Sequence, residues 1–123
     1  MNNLENKTIV AIDDSPVILR MLEVLLKEKY SVQGFTKGKR ALAYLAEKGA
    51  DLVLLDIDMP DMSGFEVLVN IRESIGVNIP VIMLTSNCDE ASVLKCVKHG
   101  ANDYTIKPID EAVFMKKVEK YLK

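Results

Sequence analysis

The stretch VLLDIDMPDMSG, residues 53–64, decides how this chain is read. Together with Leu52 it opens as an apolar run that stops abruptly at Asp56. A second acid, Asp58, follows, then Met59-Pro60, a third acid, Asp61, and Gly64. A short apolar run closed by turn residues predicts a strand buried on both faces of a parallel sheet. A carboxylate at the C-terminal tip of such a strand lies where open α/β sheets hold their ligands. Asp56 is therefore the candidate reactive group.

Outward from this stretch, two patterns alternate. Residues 8–12 read as an apolar strand and 15–29 as a helix, with Asp14 or Ser15 as N-cap and Pro16 at the first helical position. Residues 31–35 form a weaker strand that contains Gly34, and 38–48 a helix that stops at Gly49. The strand at 52–56 is followed by a helix over 63–74, where Ser63 and Glu66 have capping-box spacing. A strand over 79–85, a helix over 89–99 closed by Gly100, a short strand at 103–106 and a helix over 110–122 complete the chain.

Five strand-then-helix repeats predict an α/β three-layer sandwich, (βα)5, with a parallel sheet, helices on both faces and right-handed crossovers. For five strands the common solution is the flavodoxin-like order 2-1-3-4-5, in which the first and third strands are neighbours. Their ends carry Asp13, Asp14 and Asp56, which should then converge in one cleft. Each part alone has a plain explanation: Asp13-Asp14-Ser15-Pro16 can cap a helix, and Asp56-Ile57-Asp58 can run into a proline turn. Only their meeting in space calls for more.

Composition bounds the function. The chain has 123 residues, 49% apolar and 28% charged, with no linker or low-complexity tract, so a single domain over 1–123 is expected. A net charge of 16 − 18 = −2 argues against direct nucleic-acid binding. No run is long enough for a membrane span, and the start MNNLENKT lacks a signal pattern, so a cytoplasmic protein is expected. Cys88 and Cys96 form no CxxC pair and read as reduced thiols.

Clustered carboxylates repel one another, and without compensation one takes up a proton. A hard cation with oxygen ligands is the usual compensation, and a shallow site with two carboxylates, a backbone carbonyl and waters suits Mg²⁺. Two other strand ends add Thr85-Ser86, a hydroxyl donor, and Lys107-Pro108, a mobile point charge for a phosphate oxygen. Metal ligands, a nucleophilic carboxylate, a hydroxyl and a cation are the parts that phosphoryl transfer needs, since its catalysis is mostly positioning and charge neutralisation.

With VAIDDSP, LVLLDIDMPDMSGFEVL, IPVIMLTS and GANDYTIKP in this order, the chain resembles over its whole length the receiver domain of two-component response regulators. The resemblance implies that Asp56 is the phosphoacceptor, charged from a phosphohistidine of a sensor histidine kinase or a histidine phosphotransfer protein. It implies that Asp14 binds Mg²⁺ directly, Asp13 largely through water and Asp58 through its backbone carbonyl. Thr85 and the Ser86 amide would take phosphoryl oxygens. Lys107, held by a cis Lys107-Pro108 peptide, would pair with the phosphate, and Tyr104 stands where the family has its rotameric switch. Ser86 departs from the alanine common there. The resemblance implies that Asp58 and Asn87 occupy side-chain positions that in this family can influence phosphate lifetime.

The expected mechanism draws the Thr85 hydroxyl to the phosphate, swings Tyr104 inward and reshapes the surface of the fourth helix, fifth strand and fifth helix for a downstream protein target. A monomer or a phosphorylation-dependent dimer is expected. The first helix carries more apolar residues than one face needs, and Val17 and Leu19 are expected to be exposed for kinase docking. Lys116, Lys117, Lys120 and Lys123 read as a solvated face, and His99 as a structural residue at a helix end.

Three rivals share parts of the pattern. A haloacid-dehalogenase phosphatase would use Asp56 and Asp58 two residues apart, but would carry Thr or Val where Pro60 stands, and its motif lies on the first strand. A flavodoxin needs a hydroxyl- and glycine-rich phosphate loop where this chain has two aspartates. A phosphate-insensitive pseudo-receiver, a pure interaction module, usually lacks one of the acids or the lysine. With nothing after Lys123, the chain resembles stand-alone regulators of chemotaxis or phosphorelay type, or a receiver cut from a longer protein.

Overall fold

A computed structural model describes residues 6–76, 78–86 and 90–123. Strands β1 (Thr8–Ile12), β2 (Ser31–Phe35), β3 (Leu52–Asp56), β4 (Val81–Thr85) and β5 (Asp103–Ile106) alternate with helices α1 (Pro16–Leu26), α2 (Gly38–Lys48), α3 (Gly64–Asn70), α4 (Glu90–Lys98) and α5 (Glu111–Tyr121). All four pairings are parallel and the strand order is β2-β1-β3-β4-β5, the order expected from the alternation.

Every residue of β3 and β4 is buried, as uninterrupted apolar runs require. The two-residue period of the strands divides the core into two layers. Val10, Ile12, Val53, Leu55, Val81 and Met83 face α2, α3 and α4, where Ala41, Leu45, Val67, Leu68 and Cys96 meet them. Ile9, Ala11, Leu52, Leu54, Ile82 and Leu84 face α1 and α5, packing on Leu22, Leu26, Phe114 and Val118. Each buried Val, Leu, Ile, Met or Phe contributes roughly 1.5–3 kcal/mol on leaving water, and the sheet becomes a rigid platform whose C-terminal edge carries the acids.

Helix ends follow local chemistry with some differences from expectation. Ser15, not Asp14, caps α1, its hydroxyl accepting from the Ile18 amide at 3.3 Å. Helix α1 ends at Leu26 instead of running to residue 29, because its buried stripe of Leu22 and Leu26 has no apolar successor among Lys27, Glu28 and Lys29. The Lys29 and Tyr30 amides both bond the Leu26 carbonyl and turn the chain into β2. The helix expected over 63–74 is α3 followed by a π-helical turn over Ile71–Ile75, where the Gly76 amide bonds the Ile71 carbonyl at 2.8 Å. Strand β4 starts at Val81, directly after Pro80, which has no amide hydrogen to give a ladder. Residues 87–89, including Cys88 and the expected first residue of α4, lie outside the described residues. Cys96 is a buried free thiol.

The expectation for the first helix is corrected in part. Val17 is exposed, at 76%, but Leu19 lies over Gly34 of β2, about 3.6 Å from where a Cβ there would stand, and packs on the α1/α5 layer. The glycine in the edge strand leaves room that Leu19 fills, which also explains how residues 31–35 remain a strand. Met21 and Val24 are exposed in place of Leu19, so the outward stripe is Val17, Met21 and Val24, spaced as one face of a helix.

Helix α3 is seated directly on the end of β3. A Cβ on Gly64 would lie 2.1 Å from the Asp56 carbonyl oxygen and 2.8 Å from Ile57 Cα, and the Gly64 amide donates to the Ile57 carbonyl at 2.8 Å. Gly64→Ala therefore forces backbone apart beneath Asp56. A loss of about 1–3 kcal/mol is expected in urea unfolding, as for an overpacked core, and an unchanged midpoint would show that this contact is not tight.

Candidate functional site

Asp13 closes β1. Its amide donates to the Phe35 carbonyl at 3.0 Å, its side chain is fully buried, and Oδ1 accepts from the Ser15 amide at 2.9 Å. Asp14, next in the turn, is exposed. Asp56 ends β3 at 4% exposure, and its Oδ1 accepts from the Asp58 amide at 3.3 Å. The Asp58 side chain is exposed. Neighbouring strand ends are joined by backbone: the Ile57 amide donates to Leu84 O at 3.0 Å, and the Lys107 amide to Thr85 O at 2.7 Å.

That last bond delivers Lys107. Its Nζ lies 2.6 Å from Asp13 Oδ2 and 3.4 Å from Asp56 Oδ1, and the Lys107-Pro108 peptide is cis. Carboxylate oxygens of Asp13, Asp14 and Asp56 all lie within 4.8 Å of one another. The three acids, 43 residues apart at most, meet because β1 and β3 are neighbours, as the sheet order demands.

Burial, then the Asp13 charge, push the Asp56 carboxyl from 3.8 up to about 7, against the pull of Lys107 and of the Asp58 amide. Burial alone would lower the Lys107 ammonium, but its hydrogen bond to Asp13 and the charges of Asp56 and Asp13 hold it above its ordinary value. Fully ionised, three carboxylates against one ammonium leave −3 + 1 = −2 in a small volume. All the donors in this cluster are hard oxygens, and two of the three acids are held by the fold and not by solvent. That set fits a hard divalent cation.

Thr85 is buried, 3% exposed, and Ser86 beside it is exposed. Register places Met83 opposite Tyr104 and Thr85 opposite Ile106, so all four side chains belong to the α2–α4 face of the sheet. Tyr104 and Ile106 remain 38% and 42% exposed there. Asn87 lies outside the described residues. His99 sits at the end of α4 as expected, its Nδ1 2.9 Å from the Lys95 carbonyl and its ring edge-on to Phe65 at 4.8 Å between centroids.

Two residues escape sequence reasoning. Arg72, in the π-helical turn, donates to the Gly100 carbonyl at 3.1 and 2.7 Å, to the Gly76 carbonyl at 3.0 Å and to Asn102 Oδ1 at 3.1 Å. It ties the end of α3 to the turn before β5. Lys117 is not part of a solvated face: it donates to the Tyr104 carbonyl and pairs with Asp103 at 3.4 Å. Its only sequence signal is its place beside Val118 on the buried stripe of α5.

A parallel five-stranded sheet between helical layers, with a carboxylate cluster and a lysine at its carboxyl edge, is an open α/β fold with its candidate ligand site at the strand ends. Residues 9–119 match the family described as the response regulator receiver domain, and the chain belongs to that family. It is 41% identical over 104 residues to the two-component response regulator ARR18 of Arabidopsis thaliana, and 42% identical over 106 residues to ARR10 of the same plant. The matches cover 82% of this chain but only 16% and 18% of those relatives. Among solved structures, the Vibrio cholerae chemotaxis protein CheY4 superposes with a TM-score of 0.88 at 27% identity, covering 94% of this chain and 98% of that one. A BeF3-activated DrrB receiver domain, a protein of Thermotoga maritima, gives a TM-score of 0.88 at 32% identity over 95% of this chain and 97% of its own. Among the described residues no helix is long and apolar enough to cross a membrane.

Proposed function

We propose that this receiver domain is a phosphoacceptor switch in which Asp56 takes a phosphoryl group from a phosphohistidine of a sensor histidine kinase or a histidine phosphotransfer protein. The observation that carries this reading is the meeting of Asp13, Asp14 and Asp56 within 4.8 Å, with Lys107 against two of them. The position of Asp56 at the end of the third strand, with Asp58 in the turn after it, together with the family match, favours it over a haloacid-dehalogenase phosphatase. Retention of all three acids and the lysine favours it over a pseudo-receiver.

Asp13, Asp14, Asp56 and the Asp58 carbonyl would hold Mg²⁺, which when bound supplies positive charge to the transferring phosphoryl oxygens. The chain's own groups do the rest. The rigid β3 end holds Asp56 as the nucleophile, which attacks phosphorus in line as the donor imidazole leaves. Lys107, already between Asp13 and Asp56, neutralises charge on the product. The Thr85 hydroxyl and Ser86 amide take the remaining phosphoryl oxygens, and the movement of Thr85 opens space toward which Tyr104 turns. The α4–β5–α5 surface changes shape with it, and a downstream protein target reads that change, with the domain as monomer or phosphorylation-dependent dimer.

Incubation with acetyl phosphate and Mg²⁺ should add one phosphoryl group to the parent and none to Asp56→Asn. Normal labelling of the variant would remove Asp56 as acceptor. The exposed stripe of Val17, Met21 and Val24, on the helix that follows Asp13 and Asp14, would be the surface for the donor protein. Val17→Ser with Met21→Ser should slow transfer from the phosphodonor protein about tenfold or more, as loss of interface anchors does, while acetyl phosphate labels at the parental rate. Equal loss of both activities would place the defect in the site itself.

A further inference from the structure

We infer that Lys117 is a positioning residue that holds Tyr104 in its outward, resting position and so sets how easily the domain switches; this rests on the proposed role of Tyr104 above. The observations concern β5 and the helix that flanks it. Among the described residues, strand β5 is an edge of the sheet, paired with β4. Its side chains alternate: Thr105 is buried on the α1/α5 side, while Tyr104 and Ile106 stand on the other face and remain exposed. An exposed tyrosine ring on an edge strand has several rotamers open to it.

Lys117 reaches around the strand edge from α5 and meets this one residue in two ways. Its Nζ donates to the Tyr104 carbonyl and lies 5.1 Å from the centroid of the Tyr104 ring, within the reach of a cation–π attraction. The same Nζ pairs with Asp103 Oδ1 at 3.4 Å, the oxygen that also accepts from the Tyr104 amide at 2.8 Å. Tyr121, one helical turn further along α5, donates to the Asn102 carbonyl at 3.0 Å and reaches Asp103 Oδ2 at 3.4 Å. The ammonium is thus fixed by partners that do not depend on the ring, Asp103 above all. It stays in place when the ring turns, so the contact made with the outward ring is given up as the ring moves away. The attraction is therefore differential between the two states, which is what a residue must provide to bias an equilibrium.

A ring held outward resists the inward turn. By reciprocity, any ligand that favours the inward state must work against Lys117, and its apparent affinity falls by the factor through which Lys117 favours the outward one. A cation–π contact at a partly exposed site corresponds to about a two- to fivefold factor. Lys117 is distinct from the reacting centre: among the described residues it meets Tyr104 and Asp103, and none of Asp13, Asp14, Asp56 or Lys107.

The test is a titration with beryllofluoride and Mg²⁺, read by fluorine NMR of protein labelled with 3-fluorotyrosine, with the Tyr104 signal assigned through Tyr104→Phe. In Lys117→Met the Tyr104 signal should shift toward its ligand-bound position before any beryllofluoride is added, and the apparent affinity should rise about two- to fivefold. Lys117→Gln should do the same if methionine disturbs packing. Lys117→Arg, which keeps the cation, should stay near the parent, as should Lys116→Met, which removes the same charge from an exposed neighbour. Titration curves for Lys117→Met and Lys117→Gln that overlay the parent overturn the role of Lys117, provided the parent Tyr104 signal itself moves. A parent signal that stays still while beryllofluoride binds overturns Tyr104 as the switch, and Lys117 with it.

Discussion

Asp56→Asn is expected to unfold at a higher denaturant concentration than the parent in metal-free buffer at pH 8, with the advantage nearly gone at pH 4. The cause is the carboxyl raised from 3.8 to about 7 by burial and by Asp13. Between those two values the folded protein keeps a proton that the unfolded chain has released, so folding binds a proton. The stabilisation tied to that proton is fully present below about 3.8, declines as pH rises, and is gone above about 7. At pH 8 the parent must fold with a charge that its own site disfavours. A shift of this size corresponds to about 2–4 kcal/mol after allowing for relaxation around the site. The uncharged amide of the variant escapes it. Urea midpoints of the two proteins from pH 4 to 8 measure the effect, and parallel profiles would show that the acids do not strain the site. The same linkage predicts that Mg²⁺ raises the parent's stability more at pH 8 than at pH 5, because below about 7 a proton competes for Asp56.

Lys107→Met should have the opposite sign and comparable size. Lys107 is the cation on Asp13, whose side chain is fully buried, and it also lies 3.4 Å from Asp56. Removing one partner of a buried ion pair leaves the other uncompensated, at a cost of about 3–5 kcal/mol. In metal-free buffer at pH 8 the variant should lose stability on that scale. Much of the loss should return when Asp56→Asn is added, since the second change removes one of the two stranded charges. Mg²⁺ should restore stability to Lys107→Met more than to the parent. If the two substitutions add without coupling, Lys107 and Asp56 do not share one electrostatic site.

The strand order and the acidic cleft were legible because they depend on patterns that are local and repeated. Apolar runs such as Val81–Thr85, each followed by an amphipathic stretch, leave few topologies, and the preferred one brings Asp13 and Asp56 together. What sequence reasoning missed depends on contacts between distant residues. Leu19 and Met21 are equally apolar, and only the space above Gly34 decides that Leu19 is covered and Met21 is not. The π-helical turn at Ile71–Ile75 carries no propensity signature, and its Arg72 finds acceptors 28 residues away. Lys117 looked like any helical lysine until β5 supplied the Tyr104 carbonyl and Asp103. Packing and long side chains settled these cases, after periodicity had settled the frame.

The central claim is that one carboxylate of the cluster accepts a phosphoryl group and that it is Asp56. The most direct measurement is to treat the protein with acetyl phosphate in the presence and absence of Mg²⁺, reduce it with borohydride, and map the product by peptide mass spectrometry. Borohydride converts an aspartyl phosphate to homoserine and leaves a free aspartate unchanged. Homoserine at position 56, formed only when Mg²⁺ is present, is the predicted result. Homoserine at position 13, 14 or 58, or none at all, would contradict it.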